Sequence, residues 1–592
     1  MSLALFKKMC YNYKERNWSF FMNDRLQMLP AGSVKLKGRL GKSLRLTVDN
    51  RLKKVDYKKL TETFRIHQDK DGFWRGEFWG KIVRSAIRVI QTNPDAELEK
   101  MIRKTVKDLC RTADQNGCIS SYPEDMRCTY WDIWGRKYAL LGLLRYYRMI
   151  DQDPAVLETV RKMVRSILKE DPFSKPPKTG PVWHDGLAAF SILGAIEIAY
   201  RLTGEKAFQK AAERLFKLGC TFSGTLFNDF AKGKRLKDLA NGKAYEMTSC
   251  FEGLLELYRD TGKREYLEIS ERYYQTLIDT EMMITGTGGG RDVWGEYWYD
   301  GAENQIDPKP KYSMGETCVT ATLLRFMFHL LRITGNPRYA DQIEYTVYNA
   351  AMGAMKHDGS WWMHRNPTPL AGITRKIPAG DQIEGYGEDC CLAQGPEAIG
   401  VGGAAAVMRR EDGLAVNFYE DMEVCTKIDG AEVQLNISGK YPAGEKITIK
   451  VSADKKSEFT LALRIPEWCE CPVIECDGEK WECAPGRYAE LKKNWQKGCK
   501  IILTLPMPIV EIAAPAGAKR MAVRRGPVLL VQDSRLGEVG VPVRLSGEPE
   551  KVKVKNIEDV YRWENGLQLC DYASAGNLFS EKNTLCVWMK KK

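Results

Sequence analysis

Hydrophobic positions in residues 192–219, ILGAIEIAYRLTGEKAFQKAAERLFKLG, recur every three or four residues, stop at Thr203-Gly204 and resume in a second amphipathic run. That is the pattern of two helices joined at a glycine stop. It returns at 251–278 around Thr261-Gly262 and at 323–350 around Thr334-Gly335; residues 140–168 repeat it with Asp151 to Pro154 in place of the Thr-Gly pair. The spacing between stops is uneven, which suits helical hairpins separated by long loops better than a strict solenoid. Antiparallel pairs that must each bury an apolar face close into a ring whose inner helices line a funnel. The pattern therefore predicts an (α/α)6 toroid over residues 1–406, with a site on the loops between hairpins. An open helical array is the competing arrangement.

The period changes near residue 406. LAVNFY, AEVQLNI, KITIKV, FTLALRI, KIILTL and PVLLVQ are short, alternating or β-branched, and are punctuated by DG, GK and PAG. They predict a β-sandwich over 407–508 and a second sandwich or β extension over 509–592. The fold class is thus multidomain α plus β, a toroid followed by C-terminal β-sandwiches. With many aromatic residues in its loops, this architecture suits carbohydrate-active enzymes, although a fold alone does not define a function.

Composition removes several alternatives. The 592 residues are 44% hydrophobic and 28% charged, an ordinary globular balance. A net charge of +13 is spread along the chain with no nucleic-acid motif beside it, so it reads as a solvated surface. The apolar run Leu3 to Phe6 is too short for a signal-peptide core, and no later stretch reads as a membrane span. Seventeen cysteines, an odd number scattered over the length, then predict a cytoplasmic protein with mostly free thiols. The expected partner is an oligosaccharide or glycoside, with a homodimer as the only protein assembly considered and neither nucleic acid nor membrane.

Two short stretches carry chemistry: SMGETCV at 313–319 and YGEDCCLAQGPE at 386–397. Adjacent cysteines fit a disulfide badly. Glu316, Cys318, Cys390 and Cys391 would instead supply three sulfurs and one carboxylate, a four-coordinate set suited to Zn²⁺. Spacing leaves the other reading open, that these are small buried hydrophobes.

The stretches MITGTGGGRDVWGEYW, YSMGETC, NPRYADQIEYTVYNAAMGAMKHDG, EDCCLAQGP, LRIPEW and VRRGPVLL, spread over both halves, resemble glycoside hydrolase family 127, the β-L-arabinofuranosidase family. The resemblance covers nearly the whole chain. It implies one zinc ion on Glu316, Cys318, Cys390 and Cys391, with Cys390 as nucleophile and Glu296 as acid/base. The implied activity is that of a retaining exo-glycosidase releasing terminal β-L-arabinofuranose or a related L-sugar from plant-type glycans. Asp292, Asp300 and Glu303 are competing acids in the same loop. A non-catalytic carbohydrate-binding relative is the alternative class, and retention of all five demanding residues speaks against it.

Recognition departs from the family pattern. The chain has five histidines, and family sugar-binding histidines fall near Gly135, with Arg136 and Lys137 alongside, and near Lys243. His184 stands in for another, His364 falls at a family tyrosine, and Glu344 matches a substrate-binding glutamate. Cations in place of neutral imidazoles favour an anionic ligand. An acidic terminal sugar such as the aceric acid of rhamnogalacturonan-II is therefore the alternative substrate. The opposing expectation is that Lys137 and Lys243 pair with protein acids such as Asp185 or Glu246.

Overall fold

The computed structural model describes residues 24–178, 180–290, 295–306, 314–367, 373–374, 386–495, 499–580 and 582–592. Helices α1 (Gly76–Thr92), α2 (Asp132–Met149), α3 (Leu193–Thr203), α4 (Ala244–Thr261), α5 (Thr317–Thr334) and α6 (Cys390–Ala405) are the inner helices. Each packs on the next, and α6 closes back onto α1. Outer helices such as Pro154–Glu170, Lys206–Lys217 and Arg264–Thr280 alternate with them in the chain.

The Thr-Gly stops do what the pattern predicts. Gly204, Gly262 and Gly335 end α3, α4 and α5 with φ of 73°, 69° and 68°. The preceding threonines donate their hydroxyls to carbonyls one turn back, Thr203 to Ala199 and Thr334 to Leu330 at 2.8 Å and Thr261 to Leu257 at 2.7 Å. These bonds and the left-handed glycine satisfy the end of each helix and turn the chain outward.

Alternating inner and outer helices makes the inner six run the same way, so their C-terminal ends meet at one mouth of the ring. Buried and partly buried arginines gather there: the partly buried Arg201 pairs with Glu256 at 2.7 Å and Asp260 at 2.6 Å, while the buried Arg259 and Arg332 share Asp24 at 2.8 and 2.6 Å. Cations are favoured where carbonyl ends of helices converge. The opposite mouth collects the amide ends, and the site lies there.

Beyond α6 the chain forms a five-stranded and a seven-stranded sheet, followed by a third sheet with its own core of Ala522, Leu529, Val531, Val560, Tyr572 and Trp588. Alternation along Ala431–Ser438 buries Ala431, Val433, Leu435 and Ile437 on one face. One feature escaped the sequence reading: Gln27–Met28 pairs with Val407–Arg410, and Val34–Leu36 with Met422–Ile428. These strands precede the toroid and are too short to show a period. Asn349 ties the third sheet to the helices through bonds to Pro527 (2.8 Å) and Leu529 (2.9 Å).

The segment Trp183–Thr203 is, by length and mean hydropathy of 1.3, apolar enough to cross a membrane, contrary to the sequence reading. In the fold it breaks at His184, Asp185 and Gly186, all with positive φ, and its helical part forms a wall of the ring.

Glu344 is corrected from substrate ligand to structural anchor. It is fully buried on the outer helix Pro337–Thr346, where it accepts from the Tyr441 hydroxyl at 2.7 Å and pairs with Arg464 at 2.7 Å. Both partners belong to the β region. Arg464 also pairs with Asp341, so the group fastens the toroid to the sandwich. Arg464→Met would strand the buried Glu344 carboxylate and the partly buried Asp341. It is expected to destabilise the protein by about 3–5 kcal/mol, seen as a lower thermal midpoint. Glu344→Gln should lower the midpoint while leaving KM for substrate unchanged.

Candidate active site

Two helix starts and one strand pair assemble the thiols. Asp389 caps α6, accepting from the amides of Cys391 (2.8 Å) and Leu392 (3.3 Å), which sets Cys390 and Cys391 in the first turn. Glu316 ends a short strand paired with 365–367, and α5 begins one residue later. Thr317 clamps this start, its amide donating to the His364 carbonyl at 3.0 Å and its hydroxyl to Met363 at 2.6 Å. Cys318, Glu316 and His364 thereby face the Cys390–Cys391 pair.

The resulting cluster is buried. Ligand atoms of Glu316, Cys318, Cys390 and Cys391 lie within 4.8 Å of one another. Cys391 Sγ is 3.4 Å from Cys318 Sγ, 3.8 Å from Cys390 Sγ and 3.6 Å from Glu316, and Cys390 Sγ is 3.9 Å from Glu316. Tetrahedral coordination with metal–sulfur bonds of about 2.3 Å needs sulfurs about 3.8 Å apart. The second Glu316 oxygen is buried with no hydrogen-bond partner. The set fits a metal ion and could hold one.

Electrostatics within the cluster are strongly coupled. Burial alone would raise the Cys318 thiol, but bonds with Cys390 and Cys391 and the Lys81 ammonium bring it down to about 7. The bond to Cys318 pushes Cys390 up to about 12. Burial, with Glu296 and Cys390 nearby, holds Glu316 well above the usual carboxylate range. One negative charge is thus accommodated easily and further ones require a cation.

Glu296 reaches the cluster from a strand-like segment. Its carbonyl accepts from Ala244 at 3.0 Å, while the flanking Tyr297 carbonyl accepts from Gly290 at 2.8 Å. Its carboxylate pairs with Lys243 and lies 3.5 Å from His364 Nε2, whose Nδ1 is 3.1 Å from Asp389. Burial opposes ionisation of Glu296, yet Lys243 and His364 outweigh it and hold the carboxyl well below its usual range. His364 is desolvated, but Asp389 and Cys390 keep it well above the usual imidazole range.

The other predicted residues divide clearly. His364 joins the cluster, Lys243 joins it through Glu296 and lies 3.9 Å from Glu246, and His184 sits at the rim, its ring 5.7 Å from Tyr297. Arg136 is not a sugar ligand: it is buried against Asp132 at 2.7 Å and also pairs with Glu170. Lys137 is likewise buried, donating to Ser191 at 2.8 Å and covering the Trp134 ring at 3.9 Å. Of the competing acids, Asp300 pairs with Arg235 and Lys237 and Glu303 is exposed; Asp292 lies outside the described residues.

Two important residues were missed. Lys81 Nζ bonds Glu77 at 2.9 Å, lies 3.9 Å from Cys318 Sγ, and is 4.9 Å from the centre of the Tyr245 ring. Glu77 in turn accepts from the Trp134 indole. Their signal was an i,i+4 Glu–Lys pair inside the apolar run GEFWGKIV, where solvent-facing charge is out of place. Three thiolates and a carboxylate exceed the charge of a divalent ion, and Lys81 supplies a compensating cation.

A helical ring bearing buried acids and thiols at one mouth, with β-sandwiches behind it, is an architecture that glycoside hydrolases share, and sequence comparison supplies the class. The family model for the β-L-arabinofuranosidase GH127 catalytic domain matches residues 34–400, and that for the GH127 middle domain matches 413–507. The chain belongs to glycoside hydrolase family 127. It is 20% identical over 515 residues to a non-reducing end β-L-arabinofuranosidase of Bifidobacterium longum subsp. longum, covering 78% of this chain and 75% of that protein. The fold is shared with the GH127 β-arabinofuranosidase BT3674, at TM-score 0.78 and 17% identity over 96% of this chain and 98% of the other. It is also shared with Ara127N of Geobacillus stearothermophilus T6, at TM-score 0.71 and 20% identity over 94% and 100%.

Metal analysis tests the cluster directly. Cys318→Ser should reduce bound metal from one ion per chain to a small fraction, measured by elemental analysis. Lys81→Met keeps every ligand but should weaken metal affinity about 10- to 100-fold in chelator competition, the usual cost of losing a partner behind the ligands.

Proposed function

We propose that the protein is a retaining exo-glycosidase that removes terminal β-L-arabinofuranose, with Cys390 as nucleophile and Glu296 as acid/base. The observation that carries this reading is the buried group Glu316, Cys318, Cys390 and Cys391 at two helix starts, with Glu296 reaching it beside Glu316 and His364. Three sulfurs and a carboxylate whose ligand atoms lie within 4.8 Å of one another suit zinc. When bound there, zinc keeps the sulfurs deprotonated at neutral pH.

The chain's own groups do the rest. Cys390 Sγ attacks the anomeric carbon as the glycosidic C–O bond breaks, and the departing oxygen takes the proton held between Glu296 and His364. Asp389 fixes the imidazole through Nδ1, so Nε2 points at Glu296. Water then attacks the same carbon, Glu296 accepts its proton, and the C–S bond breaks to return the thiolate. Two displacements at one carbon retain its configuration.

The carboxylated-sugar reading loses its support. It required Lys243 with Arg136 or Lys137 to face the ligand unpaired. Lys243 is instead the partner of Glu296, and Arg136 and Lys137 are buried among protein groups. A neutral furanoside fits this charge balance better. Sixteen free cysteines among the described residues suit a reducing compartment such as the cytoplasm.

Glu296→Gln should bind substrate while losing about 10²- to 10⁴-fold in kcat on a β-L-arabinofuranoside; near wild-type turnover would reassign the acid. Lys243→Met removes the main cation that depresses Glu296, so that carboxyl's pKa must rise. Because the protonated acid is the active form for leaving-group departure, the alkaline limb of kcat/KM should move to higher pH. An unmoved limb would show that Lys243 does not govern Glu296.

A further inference from the structure

Aromatic side chains crowd one side of the active mouth. Trp74, Trp131 and Trp183 form a continuous series, with ring centroids 6.3 Å apart for Trp74–Trp131 and 5.6 Å for Trp131–Trp183. Trp131 continues inward to Trp134 at 5.9 Å, whose indole bonds Glu77 beside the thiol cluster. The outer end is open to solvent: Phe73, Val182 and Trp183 are three of the six exposed large apolar side chains among the described residues, with Trp183 39% exposed.

This series is held rigidly. The buried Tyr122 hydroxyl donates to the Phe73 carbonyl at 2.8 Å and accepts from the Trp131 amide at 3.3 Å, locking two rim loops together. Tyr130, 5.6 Å from Trp183, is clasped by Gly72 and Gly180, where a Cβ would come within 2.8 and 3.0 Å of its ring. Trp183 sits on a strap in which His184 and Asp185 adopt φ of 51° and 55°. Asp185 secures that strap by accepting from the Ser223 amide at 3.2 Å. Non-glycine residues held at positive φ cost free energy and mark places where side-chain direction matters.

The strap also lies on the acid/base side of the site. His184 is 5.7 Å from Tyr297, whose ring Lys243 covers at 5.1 Å while pairing with Glu296. The strap that carries Trp183 thus adjoins the segment that carries Glu296. We propose that Trp183 and Trp131, backed by Trp74 and Tyr130, form a stacking subsite for the sugar ring of the leaving group, the residue directly beyond the scissile bond. The occupant is a pyranose or furanose whose C–H face packs on indole while its hydroxyls stay in water. Rigid aromatic rings supply such contact at little entropic cost. The subsite makes the enzyme selective for glycans over simple alkyl glycosides.

This rests on the exo-glycosidase reading, and the test separates the two. Trp183→Ala and Trp183→Tyr are assayed on methyl β-L-arabinofuranoside and on a β-L-arabinofuranosyl disaccharide. For Trp183→Ala, kcat/KM should fall about tenfold more on the disaccharide than on the methyl glycoside, through KM, and Trp183→Tyr should recover most of it. Equal losses on both substrates, or no selective loss on the disaccharide, would overturn the subsite. If the wild type cleaves neither compound, the assigned sugar is wrong, and calorimetric titration with arabino-, xylo- and galacto-oligosaccharides judges the platform alone. Binding weakened about tenfold by Trp183→Ala supports it; no binding, or equal binding by both proteins, rejects it.

Discussion

The parallel packing of six inner helices is the constraint on which the site depends. It gathers amide ends at one mouth of the ring and carbonyl ends at the other. Ion-paired arginines answer the carbonyl ends through Arg201, Arg259 and Arg332. At the amide ends the chain places carboxylates and thiols, with Cys390 and Cys391 in the first turn of α6 and Cys318 in that of α5. Anionic groups are favoured there before any metal is considered.

That preference is not sufficient, because the cluster is buried and its anions repel one another. Lys81 beside Cys318, Lys243 on Glu296 and His364 between Asp389 and Glu296 are the protein's own compensation. Each cation lies against an acid or thiol with a chemical role. On the proposed reading the lysines tune the reacting groups, which accounts for cations in a site that would take a neutral sugar. Charge inside the mouth is matched locally, while the aromatic rim offers contact without charge.

The same economy separates stability from chemistry elsewhere. Glu344 looks like a site residue in a linear comparison, yet Arg464 and Tyr441 absorb it at the junction between helices and sheets. Arg136 is similar: it sits one turn into α2, but its i−4 neighbour Asp132 and Glu170 draw it away from the funnel. Long side chains on inner helices choose between two faces, and the available partner decides.

The sequence by itself determined the helical hairpins, their Thr-Gly ends, the change to strands near residue 406, and the Glu-x-Cys and Cys-Cys pairs. All of these are local: a period, a glycine that must turn left-handed, a ligand spacing of one or two residues. Tertiary structure alone decided how distant segments meet. It brought Lys81 to Cys318 across 237 positions and Lys243 to Glu296 across 53. It likewise placed Gln27–Met28 beside Val407–Arg410 and aligned Trp74, Trp131 and Trp183 along one rim. The direction of a long cation or an indole depends on which partner ring closure presents to it, and that geometry has no counterpart in any short window of the chain.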